Sequence, residues 1–174
     1  MTTKKGLKGV ISNDNVNKIK GTIAEEVISE LFKDLGFNVH RSGMEYAFPA
    51  LGNRNKLKAA DEITLKHIKH YPDFILQRKV DNVVFLAEVK YRTNGSYSLK
   101  KEYERYFGEY PFLSAYIILV GPTRIVAKKA SDIMDNGNKM YLISDIEDFH
   151  CNDTRKKETI KGYVNLLNSI LNSF

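Results

Sequence analysis

The chain has 174 residues, of which 43% are hydrophobic and only 4 are proline, so its composition fits one globular domain and excludes a disordered or fibrous protein. Twenty-seven Lys and Arg against 21 Asp and Glu give a formal net charge of +6, which is compatible with a polyanionic partner such as nucleic acid. The single cysteine, Cys151, excludes an intramolecular disulfide, and the lack of a long apolar stretch predicts an intracellular, cytoplasmic protein with no membrane partner.

The first 21 residues form a basic segment. It contains five lysines and one acid, Asp14, among Gly, Asn and Ser, and it has little hydrophobic periodicity. This composition predicts a flexible arm at residues 1–21, which either runs along the phosphates of a nucleic acid or is a solvated terminus. Lys20, at the end of the arm, is a candidate nucleic-acid contact.

A helix is predicted to begin at Thr22 and to end at Gly36. Apolar residues recur at helical spacing within it: Ile23, Val27, Leu31 and Leu35. At about 100° per residue, Glu25 lies at the edge of the apolar stripe, whereas Glu26 projects almost opposite to it. Glu25 therefore has two interpretations. It either reaches a site at the rim of the core or partners Thr22 in a capping box.

A strand with alternating polarity is predicted from Phe37 to Arg41, and a segment of nearly thirty residues, 43–71, follows it. This segment contains Gly, Pro and Asn and a short predicted helix around 56–67. Connections of this length are unusual in a compact domain and are often functional, so an insertion that acts as a lid or a flap is expected. His67 and His70 could bind a metal from one helical face, but no third ligand is spaced to complete a zinc site.

Two further strands, Phe74 to Arg78 and Val83 to Tyr91, are separated by a polar turn and predict a β-hairpin. Side chains alternate along a strand, so Glu88 and Lys90 share one face with Leu86. The opposite face of the same strand is apolar. The two charges are thus predicted to converge on one side of the sheet.

Asp73 precedes the first strand of this hairpin and, in the simplest register, lies near Glu88 and Lys90. Two carboxylates a few ångströms apart repel each other unless a cation or a proton is present. Lys90 offsets part of this repulsion, and the rest favours a hard divalent ion such as Mg²⁺. The alternative is that Asp73 only starts a turn and that Glu88 and Lys90 form a surface ion pair. The apolar strand around them favours the metal site.

The rest of the chain adds a helix from Ser98 to Phe107 and a buried strand between Phe112 and Gly121, then a strand near 140–144 and a helix near 158–172. The helix at 98–107 carries basic residues that could line a nucleic-acid groove: Lys100, Lys101 and Arg105. The same helix carries glutamates, so it could equally be a salt-bridged outer face.

Asp73 and the triplet Glu88-Val89-Lys90, preceded by a helix with Glu25, resemble the motif of the PD-(D/E)XK nuclease superfamily. The resemblance covers roughly Lys20 to Gly121. It implies an α/β, restriction-endonuclease-like core of one helix, three strands, a helix and a strand, with a mixed central sheet flanked by helices. Residues 1–174 would form one domain, with 43–71 as an insertion between the first and second strands and 122–174 as a C-terminal elaboration that ends in a helix.

The resemblance also implies a chemistry. Asp73, Glu88 and the Val89 carbonyl would hold Mg²⁺, for which Mn²⁺ could substitute, and Glu25 would complete the site directly, through water or through a second ion. Lys90 would orient the attacking water or stabilise the transition state. The activity expected is that of a metal-dependent endodeoxyribonuclease that leaves a 5′ phosphate.

Within the superfamily, the stretch "KGTIAEEVISELFKDLGFNVHRSG" resembles the opening helix and first strand of archaeal Holliday-junction resolvases. That likeness implies a homodimer acting on branched DNA in recombination or repair, with Arg41 and Ser42 helping to bind and cleave the junction. Arg92 is a further predicted DNA contact. Those enzymes have a much shorter connection before the aspartate. Two alternatives therefore stay open, a restriction or defence nuclease and a nucleic-acid-binding module without catalysis.

Overall fold

The computed structural model describes residues 12–43, 62–92, 112–133, 139–149, 155–171 and 173. The helices and strands in these ranges are, in chain order, α1 (Asn13–Asp34), β1 (Phe37–Arg41), α2 (Glu62–Lys69), β2 (Phe74–Arg78), β3 (Val84–Tyr91), β4 (Tyr116–Val120), β5 (Ile125–Lys129), β6 (Tyr141–Leu142) and α3 (Lys156–Leu171). Two 3₁₀ turns, Ile143–Asp145 and Glu147–Phe149, lie between β6 and α3. None of the helices in these ranges is both long and apolar enough to span a membrane.

The strands form one six-stranded sheet in the order β1-β2-β3-β4-β5-β6. Only β3 and β4 are parallel neighbours, and every other pair is antiparallel. The predictions of an α/β fold, a mixed sheet flanked by helices, a β2–β3 hairpin and a C-terminal helix are therefore confirmed. The connection between the parallel strands includes the helix predicted at 98–107, which lies outside the described residues.

The main core lies between one face of the sheet and the helices α1 and α3. Phe32 of α1 packs edge-to-face on Phe37 of β1 at 5.3 Å and on Phe149 at 4.9 Å between ring centroids. A smaller apolar cluster, which includes Ile117 and Leu119, covers the other face of β4. Because β4 is buried on both faces, its sequence is a continuous apolar run rather than an alternating one.

Helix α1 begins at Asn13, nine residues before the predicted start. Ser12 is its N-cap and accepts a hydrogen bond from the Asn15 amide at 3.3 Å. The prediction of a flexible arm is thus wrong for 13–21, while residues 1–11 lie outside the described part of the chain. Thr22 is in the middle of the helix, where its hydroxyl donates to the Lys18 carbonyl at 3.2 Å. The capping-box interpretation of Glu25 is therefore wrong.

Among the described residues of the second half of the chain, β5 is a strand that was not predicted. β5 pairs with β4 after a tight turn, in which the Gly121 amide donates to the Arg124 carbonyl at 3.0 Å. The strand expected near 140–144 is present as the short β6, and the expected last helix corresponds to α3. Within the predicted insertion, the described part contains α2; most of that segment, like Cys151, lies outside the described ranges.

Candidate active site

The register of the β2–β3 hairpin brings Asp73 and Glu88 together. Phe74 is paired with Ala87, so Asp73, one residue earlier, comes opposite Glu88. Directly opposite residues of an antiparallel pair project from the same face, with Cβ atoms about 5 Å apart. Asp73 Oδ2 also accepts a hydrogen bond from the Val89 amide at 2.8 Å. This bond ties the carboxylate of Asp73 to the strand that carries Glu88.

Lys90 forms an ion pair and hydrogen bond with Glu88 on the same strand. Both side chains are partly buried, with 23% of Lys90 and 16% of Glu88 exposed. They lie on the face opposite the main core, because Ala87 and Val89, which alternate with them, belong to that core. The parallel register sets Glu88 beside Ile117 of the smaller apolar cluster. An apolar neighbour excludes water and strengthens the electrostatic interactions of these charges.

Pro72 explains why the main chain of Val89 faces the site. The Arg78 amide donates to the Val83 carbonyl at 2.8 Å. Hydrogen-bonded pairs of this kind recur at every second residue along a hairpin, so Pro72 and Val89 are in the position of the last such pair. Proline has no N–H, so Pro72 cannot donate to the Val89 carbonyl. The Val89 amide instead bonds the side chain of Asp73.

The end of β1 holds the Pro72–Asp73 segment in place. The Ser42 hydroxyl donates to the Pro72 carbonyl at 2.9 Å, and the Ser42 and Gly43 amides donate to the Asp73 carbonyl at 2.9 and 3.3 Å. Ser42 itself is buried, with 5% of its surface exposed. Three hydrogen bonds thus fix the backbone that carries the Asp73 carboxylate.

Glu25 lies on the α1 side of the sheet and interacts with Arg41, the last residue of β1. Arg41 Nη1 is 3.6 Å from Glu25 Oε2, and Nη2 is 2.6 Å from Glu26 Oε1. The guanidinium also stacks over the Phe74 ring, 5.3 Å from its centroid. Arg41 pairs with Phe74, the residue after Asp73, so this group is at the same end of the sheet as Asp73. Because Asp73 and Glu88 project from the other face of the sheet, the Glu25 side chain would reach them only around this end of the sheet.

The groups present suit a hard divalent ion. Within the described ranges, no three His, Cys, Asp or Glu side chains gather closely enough to form a metal-ligand set by themselves. Mg²⁺ does not need such a set, since it keeps several waters and takes one or two carboxylates, here Asp73 and Glu88, and its ligands are oxygens. The backbone carbonyl of Val89 is a third oxygen of the right kind.

Carboxylates and cations lie close together at this end of the sheet. Four carboxylates stand against the two cations that pair with them, Arg41 and Lys90. These carboxylates are Glu25, Glu26, Asp73 and Glu88. Arg92 and Arg124 are at the same end of the sheet, so their positive charges also act on these carboxylates.

The remaining predicted contacts are dispersed. Lys20 is half-buried on α1, and Arg92 follows β3, where its amide donates to the Val120 carbonyl at 3.0 Å. Arg92 and Arg124 line a small cavity of about 20 Å³ at this end of β4. The predicted contacts on the helix at 98–107, Lys100, Lys101 and Arg105, lie outside the described residues. Whether any of these side chains binds DNA stays a prediction.

Two contributions to the site were not recognised in the sequence, those of Pro72 and Gly43. The signal for Pro72 was present, because a proline directly before a strand removes one hydrogen-bond donor from the ladder. No local signal identifies Gly43, whose amide acts on a residue thirty positions later in the chain.

Comparisons with known proteins assign no family to this arrangement. No protein-family model matches the chain, and no curated protein or solved structure is significantly similar to it. The chemistry of the site therefore rests on its own geometry, in which Asp73, just before β2, lies opposite Glu88 of β3, and Lys90 pairs with Glu88.

Proposed function

We propose that this chain is a Mg²⁺-dependent endonuclease that hydrolyses phosphodiester bonds in DNA. The observation that carries the proposal is the hairpin register, which sets Asp73 opposite Glu88 while Lys90 pairs with Glu88. Two neighbouring carboxylates supply the oxygen ligands that a divalent cation prefers, and the formal charge of +6 on the whole chain favours a polyanionic substrate.

The topology supports membership of the PD-(D/E)XK superfamily as a further part of the proposal. The chain runs from a helix through three antiparallel strands to a fourth strand parallel to the third, which is compatible with the core that the motif implies. The motif residues are at the open end of the hairpin formed by the second and third strands, away from its turn. This agreement between motif and topology makes a chance occurrence of the short motif a weaker explanation.

In this proposal each residue has a distinct role. Asp73, Glu88 and the carbonyl of Val89 would hold Mg²⁺, which when bound lowers the pKa of a coordinated water and neutralises charge on the scissile phosphate. The Lys90 ammonium donates to the attacking water or to a phosphate oxygen as negative charge builds up in the transition state. Glu25, held by Arg41, would act on the same site through water or through a second ion.

The test is nicking of a supercoiled plasmid with Mg²⁺ and with EDTA. We expect cleavage only with Mg²⁺ or Mn²⁺, and a loss of at least about 100-fold in the variants Asp73→Asn and Lys90→Met. Asp81→Asn is the matched control for the first variant. It removes a carboxylate from the same hairpin, but Asp81 is in the turn and pairs with Arg78.

The outcomes separate this proposal from its alternatives. If the wild-type protein cuts no plasmid, four-way junction or single strand with either metal, yet binds DNA in a salt-dependent manner, it is a binding module. If it cuts, a four-way junction and a linear duplex of matched sequence distinguish a junction resolvase from a restriction or defence nuclease. Sedimentation of the same sample tests the expected homodimer.

A further inference from the structure

Ser42 is too deeply buried to contact DNA in this conformation. Only 5% of its surface is exposed, and its hydroxyl points into the protein, where it donates to the Pro72 carbonyl at 2.9 Å. A buried hydroxyl with a satisfied hydrogen bond is costly to redirect towards a ligand. Ser42 therefore acts through the groups that it contacts.

The contact matters because the Pro72 carbonyl has two potential donors. In a regular ladder, this carbonyl would accept the Val89 N–H, since Pro72 and Val89 form the next hydrogen-bonded pair of the hairpin. In the structure Ser42 donates to it, and the Val89 N–H donates to Asp73 Oδ2 instead. The hydroxyl of Ser42 and the carboxylate of Asp73 together replace the ladder bonds that end at Pro72.

The Asp73 carboxylate is consequently fixed from both sides. Its own carbonyl accepts the amides of Ser42 and Gly43, and its side chain accepts the amide of Val89. Removal of the Ser42 hydroxyl would leave the Pro72 carbonyl to compete with the carboxylate for the Val89 N–H. The carboxylate would then lose its fixed orientation towards Glu88.

We infer that Ser42 is a positioning residue, which orients the metal-holding carboxylate of Asp73 through the Pro72 carbonyl; this inference rests on the proposed nuclease function. It differs from the role that the resemblance to junction resolvases implies for Ser42, a direct part in binding and cleaving DNA. Groups that hold a metal ligand in place typically change metal affinity 10–100-fold when they are removed.

The test compares Ser42→Thr with Ser42→Val, which have nearly the same shape and differ in the hydroxyl. We expect Ser42→Val to need about tenfold more Mg²⁺ than Ser42→Thr for half-maximal cleavage, with DNA affinity in EDTA equal within about twofold. Ser42→Ala, which adds no atoms, should behave as Ser42→Val does. Ser29→Ala, a buried serine on α1, is the matched control and should leave the Mg²⁺ requirement unchanged.

A second readout needs neither metal nor cleavage. In Ser42→Ala, the Val89 amide should exchange with deuterium about tenfold faster than in the wild type, because its acceptor is no longer held in place. Unchanged exchange at Val89, or an unchanged Mg²⁺ requirement in a protein that does cleave, overturns the inference. Weaker DNA binding of Ser42→Ala in EDTA with a normal Mg²⁺ requirement also overturns it, because it indicates direct contact. If the wild type never cleaves but the Val89 effect is seen, the nuclease proposal fails and the positioning of Asp73 stands.

Discussion

The two ends of the β2–β3 hairpin carry similar charged side chains in different arrangements. At the turn end, Arg78 forms two bonds with Asp81, at 2.6 and 2.9 Å, and also donates to the Asp148 carbonyl at 2.8 Å. The Asp148 carboxylate accepts from Lys129 at 2.8 Å and from the Tyr116 hydroxyl. Each of these two carboxylates is thus matched by a cation.

At the open end, two carboxylates and one ammonium group come from positions that are neighbours in the hairpin register. Asp73 and Glu88 lie opposite each other in the hairpin register, and Lys90 pairs with Glu88. Charge at the turn end thus joins β2 to the segment around Asp148, whereas under the proposed function the two neighbouring carboxylates at the open end bind a divalent cation.

The largest expected effect follows from removing a carboxylate at the open end. Glu88→Gln should lower the rate of DNA cleavage by about 10²–10³-fold, because the site loses a metal ligand and the partner of Lys90. Its melting temperature in EDTA should change little, because relief of the repulsion between Asp73 and Glu88 offsets the loss of the ion pair with Lys90, and its stabilisation by Mg²⁺ should be lost. Thermal unfolding with and without Mg²⁺, beside a plasmid assay, measures both. A large loss of stability in EDTA would contradict the comparison.

Removal of a carboxylate at the turn end should instead lower stability and leave DNA cleavage nearly unchanged. Asp148→Asn removes the charge that Lys129 and Tyr116 share, and the partial exposure of this pair limits the expected loss to about 1–2 kcal/mol in the free energy of unfolding. Cleavage by the folded protein should stay within about twofold of the wild type. Urea unfolding and the plasmid assay test this. An activity loss with normal stability would mean that the turn end takes part in function.

The hairpin could be predicted from the sequence because the patterns that define its strands and its turn are local. Alternation along β3 determines which residues share the face of Glu88, and the turn has its own chemistry, since Asn82 adopts a φ of 60°, which asparagine tolerates. Only residues within a few positions of each other are needed for that prediction. The start of α1 was missed for the converse reason. Its first turns are exposed, so they carry no apolar period, and the cap at Ser12 defines the start.

The contacts that complete the site could not be predicted, because they join distant parts of the chain. Ser42 reaches Pro72 across 30 positions, and Arg41 reaches back from β1 to two glutamates of α1. The likeness to junction resolvases predicts that Arg41 and Ser42 contact DNA. The described partners of both residues are within the protein, and these contacts form only when β1, β2 and α1 are assembled.

Arg41 offers a smaller test of the open end. Arg41→Gln leaves Glu25 and Glu26 without their shared cation, so we expect a loss of about 1 kcal/mol in stability and a changed Mg²⁺ requirement. Glu26→Gln is the matched control, because Glu26 is 57% exposed and Arg41 keeps Glu25 as a partner. The control should have a normal Mg²⁺ requirement. If Arg41→Gln instead changes only the salt dependence of DNA binding, Arg41 contacts phosphate directly.

The smallest effect concerns pH and again distinguishes the turn end. Burial raises the pKa of Asp148, but hydrogen bonds from Lys129 and Tyr116 outweigh it and hold the pKa below the ordinary value of 3.8. A carboxyl group whose pKa is lower in the folded state stabilises the protein above its ordinary pKa and loses that contribution as the pH falls through the folded value. The difference in unfolding free energy between wild type and Asp148→Asn should therefore be full at pH 6 and should shrink below about pH 3.8. The pKa of Asp81 is also lowered, by its hydrogen bond with Arg78, but this does not affect the difference because both proteins retain Asp81. Urea unfolding at a series of pH values measures the difference, and a constant value down to the lowest pH would show that the Asp148 charge does not stabilise this end of the hairpin.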